Sequence, residues 1–301
     1  MDSPSATSSA TSAARWTVGD LTVHRIDEVP LPPPTGAWLL PEASPETVSQ
    51  VPWLRPDFAD DAGALRLASH SFAFSVDGLR VLVDTGIGNG KNRANPAWNQ
   101  LNSDYLTRLR DAGFAPESVD LVILTHLHTD HVGWNTRADG GTWQPTFPRA
   151  RYVTARAEWD HWAGADMDAA RREMFRDSVH PVRDAGLLHL VDAPAEGTDI
   201  APGVRLLPTP GHTPGHLSVQ LRSRTAGALI TGDAIHHPVQ LPHPGLTSCV
   251  DIDPGQAAAT RRRLLASLAD TDTLVLGSHF PAPTGGRVTS QSGAYRLAPV
   301  R

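Results

Sequence analysis

The sequence predicts an α/β protein in which two β-sheets lie together with helices on the outside. Two observations carry this. Short apolar, β-branched runs recur along the chain, and hairpin signals or helix stops separate them. Their order is strands first, then αβ units, then strands again and a last αβ unit, which suits two sheets better than one.

Residues 1–14 are small and polar, with neither a basic nor an apolar leader region, and read as a disordered tail ahead of one domain over 15–301. Residues 16–26 alternate around Gly19-Asp20 and read as a hairpin. Residues 29–56 are rich in Pro, which argues against regular structure, yet they carry Trp38, Leu39, Leu40, Trp53 and Leu54. An extended arm is expected there, serving as a lid, as plain packing or as a contact with a second subunit. Strands over 65–76 and 79–83 flank Asp77-Gly78, a strong hairpin signal, and the second runs into Asp84-Thr85-Gly86. Helical spacing through Tyr105, Leu106 and Leu109 predicts a helix over 102–112, stopped by Gly113. Residues 119–124 read as a buried strand, 138–148 as a Gly-rich segment, 151–155 as a strand and 156–185 as mainly helical. Short strands follow over 187–191, 203–207, 217–221 and 228–231, then an amphipathic helix over 254–268 and a strand over 273–276.

Composition narrows the function. Hydrophobic content of 40 % and charged content of 19 % are ordinary for a soluble globular chain of 301 residues. The net charge is −6, Lys91 is the only lysine and no basic run exists, which argues against a nucleic-acid partner. The one cysteine, Cys249, rules out an intrachain disulfide and leaves N and O donors for any metal. No apolar run reaches 18 residues, so no membrane span is expected and the chain reads as cytoplasmic.

The chemistry gathers in Thr125-His126-Leu127-His128-Thr129-Asp130-His131-Val132-Gly133, directly after the buried strand. Alternation puts His126 and His128 on one side, and the turn beyond can face Asp130 and His131 toward a second ion. Imidazoles packed this tightly would repel on protonation; a metal holds them neutral. Three further candidates follow short strands or sit in Gly/Pro loops: His212, Asp233 and His279. Two sets of three ligands and one extra carboxylate suit two divalent ions about 3.5–4 Å apart. Asp84, at a strand end, can take the N–H of a ligand histidine. Zn²⁺ is the default, with Mn²⁺, Fe²⁺ and Co²⁺ also compatible.

Taken together, Asp84 in Val-Asp-Thr-Gly, the 125–133 stretch, His212 in Gly-His-Thr-Pro-Gly-His, Asp233 in Thr-Gly-Asp-Ala and His279 in Gly-Ser-His-Phe-Pro resemble the metallo-β-lactamase superfamily. The resemblance covers nearly all of residues 65–280. It implies a four-layer αββα sandwich with the site at one edge of the paired sheets. It also implies that His126, His128 and His212 hold one ion, that Asp130, His131 and His279 hold the other, and that Asp233 bridges them. His216 would sit behind the site. Lactone-cleaving relatives often carry Tyr three residues after the bridging Asp. His236 stands there instead, as in the branch of methyl parathion hydrolase-like esterases.

The expected activity is hydrolysis of a small ester-type substrate (carboxylic ester, lactone or phosphotriester) by a hydroxide shared between the ions. Asp130 would orient that nucleophile and return its proton to the leaving group, and His236 would steady the oxyanion. Trp38, Leu40, Trp53, Trp134, Trp143, Phe147 and Phe280 are expected to line a substrate pocket. Two alternatives stand beside this: a thioester hydrolase and a mononuclear-iron dioxygenase-like oxidoreductase on the same fold. The bridging Asp233 argues against a true β-lactamase. The 22 residues after His279 leave no room for the helical domain of glyoxalase II-like thioesterases.

Overall fold

The computed structural model describes residues 14–300, so the tail expected over 1–14 lies outside the described residues except for Ala14. The first part of the chain supplies β1 (Arg15–Val18), β2 (Leu21–Pro30), β3 (Ala68–Val76), β4 (Leu79–Val83), β5 (Leu121–Ile123), β6 (Thr136–Asp139), β7 (Thr142–Pro145), β8 (Arg151–Ala155) and β9 (Leu188–Val191). All but the small β6–β7 hairpin join one sheet in the order β1-β2-β3-β4-β5-β8-β9. It is antiparallel up to β4 and parallel from β4 to β9.

The second sheet repeats that plan. It runs β10 (Thr198–Ala201), β11 (Val204–Pro208), β12 (Leu217–Arg222), β13 (Gly227–Ile230), β14 (Leu274–Leu276), β15 (Gly285–Gln291) and β16 (Ala294–Pro299). Its one parallel pair is β13 with β14. The helix α3 (Tyr105–Asp111) lies in the crossover from β4 to β5, and α7 (Pro254–Leu268) in the crossover from β13 to β14. A parallel pair needs such a crossover, and a helix there covers the outer face of the sheet.

Alternation along each strand sorts the side chains into layers. Val81, Val83, Phe72 and Phe74 turn inward to meet Val219, Leu221, Ile230 and Leu276 of the other sheet. Leu82, Ala73 and Val122 turn outward under Tyr105 and Leu109 of α3. Leu229 and Val275 turn outward on the second sheet under Leu264, Leu265 and Leu268 of α7. Four layers result, helix, sheet, sheet and helix, as the resemblance implies.

Two stretches depart from the reading of the sequence. The Pro-rich arm is not extended: it forms α1 (Pro34–Leu39), α2 (Pro45–Ser49) and a 3₁₀ turn at Pro52–Leu54, each with Pro in its first turn. Pro at the first helical position loses no intrahelical bond and arrives with a helical φ, so it starts helices here. Leu39, Leu40, Val48, Val51 and Leu54 then pack into the core of their own chain. The residues after His279, for which no element was expected, supply β15 and β16, which complete the second sheet.

The helical run over 156–185 is interrupted but real. It comprises α4 (Arg156–Gly164), α5 (Ala169–Met174), a π-turn at Phe175–Val179 and α6 (His180–Asp184). Pro181 cannot send an N–H to the carbonyl of Asp177, as an α-helix would require. That carbonyl instead accepts from Thr136 Oγ1 and, at 3.2 Å, from Lys91 Nζ.

Candidate metal centre

Five loops meet at one end of the paired sheets, and four of them begin at the carboxyl ends of β4, β5, β13 and β14. These carry Asp84, the 125–133 turn, Asp233 and His279; the fifth, between β11 and β12, carries His212. Close approach of the loops depends on missing side chains. A Cβ on Gly133 would stand 1.9 Å from the Ile87 carbonyl, and one on Gly215 would stand 2.0 Å from Glu158 N. Asp84 holds a left-handed backbone, with φ of 56°. That is uncommon for a residue with a side chain and typical of sites where function over-determines the backbone.

The expected ligands converge. His212 Nε2 lies 3.2 Å from His126 Nε2 and 2.9 Å from His128 Nδ1. His131 Nε2 lies 3.3 Å from His279 Nε2, and Asp130 Oδ2 is 3.6 Å from the same His279 nitrogen. Between these sets lies Asp233, with its oxygens divided. Oδ2 is 3.4 Å from His212 Nε2 and 3.8 Å from His126 Nε2, whereas Oδ1 is 3.4 Å from His131 Nε2 and 3.3 Å from His279 Nε2.

Hydrogen bonds on the far side of each ring decide where the lone pairs point. His131 Nδ1 faces Asp84 Oδ2 at 2.9 Å, His212 Nδ1 faces Asp251 Oδ1 at 2.9 Å, and His279 Nδ1 faces the Ala68 carbonyl at 3.1 Å. None of those oxygens carries a proton to give, so each Nδ1 is the donor and, in the neutral ring that a metal needs, each Nε2 is left with its lone pair. Thr125 Oγ1 donates to Asp84 Oδ2, which leaves it to accept from His126 Nδ1 at 3.0 Å. Imidazole lone pairs therefore meet at 3.2–3.3 Å beside two carboxylates, and Asp233 Oδ1 has no hydrogen-bond donor. Such a donor set repels itself unless cations sit among it, and N and O donors suit divalent metals.

The electrostatics split along the same line. Burial, and then the neighbouring imidazoles, hold His126 and His128 well below the usual histidine range. Burial is the largest influence on His131 and His279 and opposes their charge, but Asp233 together with Asp84 and Asp130 at His131, and with Asp130 at His279, outweighs it, so both are raised. Burial pushes Asp233 up, yet His279, His131 and His236 hold it well below the carboxylate range. His216 is not among the converging donors. Its Nε2 accepts from Asp233 N at 2.8 Å and its Nδ1 pairs with Thr209 Oγ1 at 2.8 Å, so it shapes the turn that carries Asp233. Burial and His212 push His216 down to about 3, which keeps that acceptor nitrogen free.

His236 departs from its expected role. It is completely buried, with Nε2 3.3 Å from Asp233 Oδ2, and does not lie on the cleft wall. That position faces the Asp233 carboxylate rather than the cleft, which does not favour the oxyanion role expected of it. His237 is turned away altogether, donating to the Phe58 carbonyl at 2.9 Å.

Most of the expected pocket residues also lie elsewhere. Only Trp38, 55 % exposed, lines the cleft over the centre. Leu40, Phe147 and Phe280 are core side chains, because strand and turn geometry points them away from the ligands beside them. Trp134 is buried, stacked on Tyr105 with its N–H on Glu28 Oε1. Trp53 packs edge-on to Phe58, and Trp143 lies under the Lys91 ammonium, 3.6 Å from the ring centre. The cleft is a space of about 160 Å³ walled by Leu31 and Leu39 of the arm, expected as a lid or as packing, and by Trp98, Val250 and Arg171, which the sequence did not single out. It opens past Trp38, Trp98 and Arg171 into a chamber of about 570 Å³.

Three buried acids that sequence reasoning missed hold the loops together. Asp251 orients His212, as above. Glu158 accepts from Leu127 N at 3.0 Å, Gly215 N at 3.2 Å and Trp162 Nε1 at 2.7 Å, which joins the 125–133 turn to the loop that carries His212. Glu28 accepts from Ile87 N, Gly88 N, Ser69 Oγ and Trp134 Nε1. Burial raises its pKa despite these four donors.

Comparison with known proteins agrees with this geometry. A family profile described as the metallo-beta-lactamase superfamily matches residues 65–279. An N-acyl homoserine lactonase of Bacillus cereus is 30 % identical over 131 residues, covering 43 % of this chain and 44 % of that protein. The N-acyl homoserine lactonase AiiB of Agrobacterium fabrum is 31 % identical over 174 residues, covering 52 % of this chain and 59 % of that protein. The chain thus spans about half the length of these curated relatives. Among solved structures, the hydrolase AbOPH of the beta lactamase superfamily superposes with a TM-score of 0.76 at 24 % identity, over 96 % of this chain and 97 % of that one. AidC, a dizinc quorum-quenching lactonase in complex with a product, gives 0.76 at 21 % identity over the same shares. At these identities the likeness speaks for the fold.

Proposed function

The chain belongs to the metallo-beta-lactamase superfamily, and on that premise we propose that it is a metal-dependent hydrolase of a small carboxylic ester or lactone. One observation carries the reading: the two oxygens of Asp233 face two separate sets of ligand nitrogens. His126, His128 and His212 would hold one divalent cation, and Asp130, His131 and His279 the other, with Asp233 shared. Bound there, the cations, Zn²⁺ by default, supply a Lewis acid and a water acidified toward neutral pH.

The chain's own groups do the rest. Asp130, half-buried at the floor of the cleft, orients the attacking water and carries its proton to the leaving oxygen. Asp84, Asp251 and the Ala68 carbonyl keep the ligand rings in one tautomer, so no reorganisation is needed during the reaction. Trp38 and Trp98 offer apolar surface to an acyl or aryl group. The N-terminal hairpin and the last strand belong to the same unit, since Trp16 Nε1 donates to the Val300 carbonyl; we read residues 15–301 as one domain.

The test is elemental analysis of the purified protein, then p-nitrophenyl esters, acyl lactones and aryl phosphotriesters assayed with and without chelator. Two Zn-like ions per chain with chelator-sensitive ester or lactone cleavage is the expected result. One iron with oxygen uptake, or metal-independent turnover, would overturn the reading.

A further inference from the structure

Two arginines flank the chamber beyond the metal centre, and they differ in one respect. Arg93 is ion-paired: its guanidinium makes two bonds to the Asp177 carboxylate, at 2.7 and 2.9 Å, and one each to Ser178 Oγ and the Asn92 carbonyl, with only its Nε buried and unpartnered. Arg171 lines both the cleft over the centre and the wider chamber. Its side chain donates no hydrogen bond and forms no ion pair among the described residues, and its Nη1 is fully covered and unpartnered. The group is nonetheless fixed in place. Its guanidinium carbon sits 4.0 Å over the Trp162 ring, and that ring is anchored through its N–H to Glu158.

A half-buried guanidinium without an acceptor is costly, because it has lost water and gained nothing in return. Stacking on Trp162 recovers part of that cost but uses the face of the group, leaving the in-plane N–H donors of Nε and Nη2, which are not covered as Nη1 is, without a partner. Asp168, Glu158 and Asp130 lie within electrostatic range but not in ion-pair contact. Arg171 lines that cleft together with His128, Asp130 and His279, so it stands at the rim of the reaction centre. A planar donor fork at such a place matches one ligand chemistry best: a carboxylate taken side-on.

We propose that Arg171 is a specificity-determining residue that pairs with a carboxylate on the substrate, so that the preferred ester or lactone is an anionic one. This rests on the hydrolase reading above. A site built around a polar partner discriminates strongly against analogues that lack it, since the partner is then left unpaired.

The experiment uses two esters matched in length, p-nitrophenyl butyrate and mono-p-nitrophenyl glutarate, on the metal-loaded protein and on Arg171→Gln and Arg171→Lys. The wild type should prefer the glutarate ester in kcat/KM by about 10–100-fold. In Arg171→Gln that ratio should fall to near one, chiefly through KM for the anionic ester, and Arg171→Lys should keep part of it. Calorimetric titration with glutarate and butyrate gives a readout apart from turnover. Glutarate should bind the wild type at least about tenfold more tightly than butyrate, and Arg171→Gln should lose the difference. Thermal unfolding confirms that the variants are folded. No anionic preference in the wild type, or a preference that survives in Arg171→Gln, overturns the proposal. If neither ester turns over, the titration alone decides the role of Arg171, and the hydrolase reading is decided by the ester and lactone panel above.

Discussion

The floor of the cleft and its wall are built on different terms. On the floor, the rings of His126, His131, His212 and His279 are pinned on the nitrogen facing away from the centre, by Thr125, Asp84, Asp251 or the Ala68 carbonyl. On the wall, Trp38 is more than half exposed, Trp98 is half-buried and Arg171 has no hydrogen-bond acceptor. The floor is finished before any substrate arrives, whereas the wall acquires its missing partner only from the ligand. This division lets one reaction centre serve different substrates through changes in a few wall residues, because binding and chemistry are held by separate elements.

Substitutions on each side can break or sharpen that contrast. The largest effect is expected from Asp233→Ala on the floor: kcat/KM should fall by at least about 10³-fold, with fewer than two metal ions retained per chain by elemental analysis. Unchanged turnover would remove the basis for a shared carboxylate. Asp251→Asn should weaken metal binding by about 10–100-fold in a chelator competition, since the His212 ring loses its charged partner. An unaltered affinity would mean that the floor is no more tightly held than the wall.

Glu158→Gln places an NH₂ group against a backbone N–H that now meets a carboxylate oxygen. A stability loss of about 1–3 kcal/mol is expected from urea unfolding, because one buried donor is left unpaired. The smallest effect lies behind the wall, at Lys91, which burial pushes down to about 7 despite Asp177. Between about pH 7 and the ordinary lysine value of 10.5, the unfolded chain binds this proton and the folded chain does not. Stability of the wild type should therefore rise with pH across that window, relative to Lys91→Met, which has no such proton. Parallel melting-temperature profiles from pH 7 to about 9 would contradict this placement of Lys91.

What could be read in the sequence follows the same floor and wall. His126, His128, His131, Asp130, His212, Asp233 and His279 were legible because each follows a short buried strand or sits in a stiff Gly/Pro loop. Asp251 and Glu158 were not, because each acts on residues 39 and 31 or 57 positions away and carries no local pattern. The wall was misread where nearness in sequence was taken for nearness in space. Phe280 adjoins His279, yet successive side chains diverge and it enters the core. Pro in the arm was read as a breaker, while at the first helical position it is a starter. Arg171 gave no sign at all, since only the tertiary structure shows that its acceptor is missing.

The paired sheets have a consequence for how this molecule comes apart. His126, His128, Asp130 and His131 hang from one sheet, and His212, Asp233 and His279 from the other. A cation held by both sets is therefore a rivet across the seam. It leaves frayed ends and surface turns as labile as before, and it slows only those openings that part the two halves. Removing it should thus expose the interior strands to amide exchange in both sheets at once, rather than in either one alone.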